Sequence, residues 1–147
     1  MDANVLLGAA LTCVAGGILP WINTEVVVIG AAMLIPSSAL PALVTGCALG
    51  QMSAKCALYG VTRWAPERLP ARARQLLSRV ERYRERRRLL ALAVFSGSLV
   101  AIPPFYLVTL ACGVLRVPFA LFAVAGLSGT AMRYGFLVWA ATALGVS

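Results

Sequence analysis

The sequence has no histidine and only five acidic residues among its 147. Its four cysteines, Cys13, Cys47, Cys56 and Cys112, lie inside apolar runs with no Cys-x-x-Cys spacing. Zinc sites and disulfide frameworks therefore lack their usual donors and pattern, and free buried thiols are the expectation. A nucleophile has no imidazole to activate it, and no Gly-x-x-x-x-Gly-Lys run is present to cradle a phosphate. Neither an enzyme, a metal nor a cofactor is expected. Charge is scarce too: 12% of residues are charged, against roughly a quarter in a soluble chain. A secretory leader needs a basic segment before its apolar core, and the only charge before Leu6 is Asp2, so none is expected.

What is present is apolar side chain. Hydrophobic residues make up 61% and the mean hydropathy is +0.86. A water-soluble fold this small has too much surface for its volume to hide them, so the expected solvent for most of the chain is lipid. The charges are unevenly spread. Residues 3–62 carry only Glu25 and Lys55, and residues 89–147 only Arg116 and Arg133. Ten of the thirteen basic residues fall in 63–88. A basic connector between apolar blocks is read as cytoplasmic. It accounts for the net charge of +8 without nucleic acid, whose recognition would need a soluble domain around it.

A spanning helix needs roughly 20 apolar residues. Residues 40–62 and 117–146 meet that length. The block at 3–36 is broken around Gly16-Gly17 and again from Pro20 onwards, and residues 24–35 are only about 18 Å long as a helix. The block at 89–116 carries Pro103-Pro104 at its middle, where backbone donors are lost and helical geometry is disfavoured. Both broken blocks read as re-entrant hairpins, whose irregular backbone must be sheltered by protein or a water-filled cavity. The expectation is an all-α polytopic membrane protein forming a single membrane domain over 1–147. Each half is a re-entrant hairpin followed by a transmembrane helix, and the cytoplasmic connector makes the halves an inverted repeat, as in secondary transporters. Five or six ordinary short helices are the alternative.

Within the connector, Pro66 and Pro70 mark a turn and 71–88 reads as one helix. Leu76, Leu77, Val80 and Tyr83 share a face, with arginines around the rest. Such a helix lies in the headgroup layer, with Arg72, Arg79, Arg82 and Arg86 as candidate contacts to anionic lipid. A plain topology anchor is the other reading. Charges inside membrane segments are functional candidates by default, which singles out Glu25, Lys55 and Arg133. Asn23 is expected to cap the helix that Glu25 opens. Lys55 is expected to snorkel towards the cytoplasmic interface. Arg133, near the middle of the last helix, is expected to pair with Glu25.

Several segments then look familiar. A proline followed by an acidic residue at 20–25, then Leu49-Gly50, Tyr59 and Arg63, resembles the DedA/VTT (SNARE-associated Golgi protein-like) family. Its pattern LG-x3-GD-x3-Y-x2-GR has Ala54, Lys55 and Thr62 here in place of glycine, aspartate and glycine. Pro103-Pro104-Phe105, Cys112-Gly113, Pro118 and Phe122 are similar to the family's second hairpin and its exit, and Gly129 through Arg133-Tyr134 to its last helix. The arginines that many members carry around the second hairpin's proline are absent. The resemblance implies an integral membrane protein of the bacterial inner membrane. It would move a lipid or lipid-linked anion, such as a polyprenyl phosphate, between leaflets, with proton coupling as an option. The alternative is a non-transporting assembly or structural subunit that binds anionic lipid or a partner through its basic connector.

Overall fold

In the computed structural model, which describes residues 2–101 and 104–145, every regular element is helical. Pro103 and Val146, and the side chains of Leu77 and Val80, lie outside the described residues. Among the described residues the α-helices are α1 (Asp2–Ile18), α2 (Thr24–Ala32), α3 (Leu40–Trp64), α4 (Ala71–Val80), α5 (Arg87–Val100), α6 (Phe105–Val114) and α7 (Phe119–Ala143).

The helices form two compact units, Met1–Ala54 with Thr130–Ser147, and Lys55–Gly129. Both long helices, α3 and α7, contribute to each. In the first unit α1 packs on α2. Pro20 stops α1, and Asn23 starts α2 by accepting the Glu25 and Val26 amides at 3.0 and 3.4 Å. Gly16 and Gly17 do not break the chain, contrary to the expectation from sequence; both are helical. They are small because neighbours come close. A Cβ on Gly16 would stand 2.3 Å from Thr24 Cγ2, and one on Gly17 2.5 Å from Ala54 Cβ. On α3, a Cβ on Gly50 would meet the Ala10 carbonyl oxygen at 2.7 Å.

In the second unit α5 packs on α6. Helix α5 ends on Ala101 in left-handed geometry, φ 59°, and Pro104 immediately precedes α6. Helix α6 ends through paired bonds, Arg116 N–H to Gly113 O and Val117 N–H to Cys112 O, with Arg116 at φ 53°. Tyr59 stacks on Phe122 with ring centres 5.0 Å apart. The helix expected over 71–88 is shorter than that: α4 stops at Val80, a 3-10 turn covers Glu81–Tyr83, and α5 begins at Arg87. Continuing it would set Arg82 over Arg86 and Arg84 over Arg88, like charges at i,i+4 that destabilise a helix.

Helix α7 is long and apolar enough to cross a membrane, with only 33% of its most apolar stretch buried. Helix α3 also has 25 residues but is less apolar, because Gln51, Lys55 and Thr62 interrupt it. Those three side chains are all buried.

Candidate functional site

The first unit contains a buried polar cluster built from three elements. Thr24 opens α2, Gln51 lies midway along α3, and Arg133 and Tyr134 are on α7. Tyr134 Oη is 2.8 Å from Thr24 Oγ1 and 2.7 Å from Gln51 Oε1, and Gln51 Nε2 is 3.3 Å from Thr24 Oγ1. A phenol has one proton and an amide oxygen has none to give. Tyr134 therefore donates to Gln51 Oε1, Thr24 donates to Tyr134, and the Gln51 amide nitrogen donates to Thr24. The three side chains close a ring of hydrogen bonds running in one direction. Arg133 Nη2 also donates to Gln51 Oε1, at 3.2 Å, which fixes the amide's orientation.

The other guanidinium nitrogen, Arg133 Nη1, lies 3.8 Å from Glu25 Oε1. The two residues expected to pair are thus brought together. Their surroundings differ: the Arg133 side chain is 11% exposed and that of Glu25 41%. Two buried polar atoms near each other in sequence on α7, Thr130 Oγ1 and Arg133 Nε, have no hydrogen-bond partner among the described residues. The cluster offers a half-exposed carboxylate, a largely buried cation held by Gln51, and one guanidinium N–H with no acceptor among the described residues.

The asymmetry yields a prediction. Glu25→Gln is expected to lower thermal stability in detergent more than Arg133→Gln, because losing the carboxylate strands a largely buried cation, whereas water can still reach Glu25 when Arg133 is removed. The double mutant should recover part of the loss, with a coupling of about 1 kcal/mol. Strictly additive losses in a double-mutant cycle would separate the two residues energetically.

Lys55 differs from expectation. Only 3% exposed, it does not snorkel; its ammonium lies 5.6 and 5.2 Å from the ring centres of Phe105 and Tyr106. Aromatic faces at the start of α6 attract the cation inward. Pro20 lies in the α1–α2 break and Pro104 directly before α6, while Pro103 is outside the described residues. Arg72, Arg79, Arg82 and Arg86 are all exposed.

Sequence reasoning takes only charged residues as site candidates and so passes over Thr24, Gln51 and Thr130, while Tyr134 enters it only through the family resemblance. The signal was a lone amide in an apolar helix, four residues before Lys55 and so on the same face. The sequence matches no protein-family model, no curated protein and no solved structure, so any functional reading has to grow from this geometry.

Proposed function

We propose that the chain is a polytopic inner-membrane protein of the DedA/VTT kind that moves a lipid or lipid-linked anion between leaflets. The observation that carries this reading is Arg133, largely buried and held by Gln51 and Glu25, whose Nε–H has no partner among the described residues. A buried unpaired donor is expensive, and an acceptor oxygen on an anionic substrate would satisfy it. Glu25 would gate that cation or carry a coupled proton, and Lys55 remains a candidate counter-charge.

Two further features support membrane spanning by both units. The outward hydroxyls of Thr45, Ser53, Ser128 and Thr142 each bond to a carbonyl three or four residues back in their own helix. Hydroxyls facing hydrocarbon must be satisfied in this way, since lipid offers no partner. Large apolar side chains such as Val124, Met132, Phe136 and Trp139 of α7 point outward. In water so continuous an apolar surface would be a liability.

The inverted-repeat reading draws support from matching inventories. Each unit combines one helical hairpin with parts of α3 and α7. Gly50 and Gly129 are each the eleventh residue of a 25-residue helix. A Cβ on either would meet a carbonyl oxygen on the first arm of its unit's hairpin, Ala10 at 2.7 Å or Phe95 at 2.9 Å.

The test is leaflet exchange in proteoliposomes with a panel of labelled phospholipids and polyprenyl phosphates. Wild type should accelerate exchange of an anionic member, and Arg133→Gln should abolish it. No acceleration for any member would favour the assembly-subunit reading. Topology is checked separately in a cysteine-free background: Gln75→Cys should label from the cytoplasm and Ala3→Cys from the opposite side. Labelling of both from one side would overturn the inverted arrangement.

A further inference from the structure

We propose that a cleft in the second unit, framed by Arg84, Arg87 and Arg116, is a binding site for a phosphate group. The cleft has a volume of about 550 Å³ and a buried apolar floor that includes Leu90 and Leu115. Three guanidiniums face one carboxylate, Glu85, leaving an excess of positive charge. Neither Arg87 nor Arg116 has an ion-pair partner among the described residues, and Arg84 is 4.0 Å from the exposed Glu81.

Two independent features reinforce the charge. Helix α5 starts at the rim of the cleft with no side chain capping it and no acidic residue in its first turn. The Arg86 and Arg87 amides bond to the Tyr83 and Glu85 carbonyls, so this 14-residue helix has the amides of Arg88 and Leu89 and the positive end of its dipole left for an anion. The second feature is Arg116 itself. It occupies the left-handed position that closes α6, at φ 53°, where the backbone alone would favour glycine. An arginine in that conformation lines the cleft together with Arg87 and supplies a planar group able to bind phosphate bidentately, at the expense of backbone comfort. The apolar floor suits the glycerol and upper acyl chain of a lipid phosphate, although the phosphate itself is the group recognised.

This site lies in the other unit from Glu25 and Arg133, so its failure would leave the transport reading standing. The experiment uses the full chain in non-ionic detergent and titrates it calorimetrically with pyrophosphate and, separately, with dihexanoyl phosphatidic acid. Saturable binding of at least one probe is expected. Arg116→Gly should weaken binding by about tenfold or more, the usual scale for a lost charge-assisted hydrogen bond. Its melting temperature should equal or exceed that of wild type, because glycine accepts the backbone angle. Arg87→Gln should weaken binding similarly, and the exposed Arg68→Gln should not. Equal binding of the two probes would assign a free phosphate compound as ligand; binding of the lipid alone would assign a headgroup. The proposal is overturned if neither probe saturates, if Arg116→Gly binds like wild type, or if Arg68→Gln loses as much as Arg116→Gly.

Discussion

Gln51→Leu is expected to be the most damaging single substitution in the first unit, lowering stability by about 3 kcal/mol or more. One amide serves three partners: it donates to Thr24 and accepts from Tyr134 and Arg133. Leucine fills a similar volume but leaves two hydroxyls and a guanidinium short of a partner, and each buried unsatisfied group costs about 1–3 kcal/mol. Tyr134→Phe removes only the phenol and keeps both remaining bonds of Gln51, so about 1–2 kcal/mol is expected from the same principle. Thermal unfolding of both variants in one detergent makes the comparison. Equal losses would mean that the three side chains do not act as a unit.

A comparable loss is expected in the second unit from one methyl group. A Cβ on Gly113 of α6 would lie 1.7 Å from Thr62 Oγ1 and 2.7 Å from the Tyr59 carbonyl oxygen. Thr62 is fully buried and donates its hydroxyl to that same carbonyl at 3.0 Å. Rotating Thr62 would clear one clash, but the carbonyl belongs to α3 and cannot rotate away. Gly113→Ala should therefore push α6 from α3 and lower stability by about 1–3 kcal/mol, as overpacking generally does. Gly60→Ala meets nothing within 4 Å and should gain up to about 1 kcal/mol from helix propensity. If both variants melt alike, the close approach at Gly113 is not a constraint.

The sequence exposed what is local or chemically rare. Asn23 before Thr24-Glu25 reads as a cap because its side chain can reach amides two and three residues on, and it does so. Glu25 and Arg133 stood out because charge is scarce in their surroundings. Gly16 and Gly17 misled, since a glycine that admits a neighbouring helix looks in sequence like one that ends its own. Lys55 misled because its partners, Phe105 and Tyr106, lie some fifty residues along the chain. The ring of Thr24, Gln51 and Tyr134 had no local signature at all. Its members are uncharged, spread over 110 positions, and acquire meaning only when three helices meet.

The direction of that ring limits how protons can travel. A chain of hydroxyls or waters conducts by passing a proton in at one end and out at the other, each oxygen both accepting and donating. Gln51 cannot take part, because its nitrogen only donates and its oxygen only accepts. The guanidinium of Arg133 does not release its proton either. A proton on Glu25 therefore has no path inward through Arg133 and Gln51.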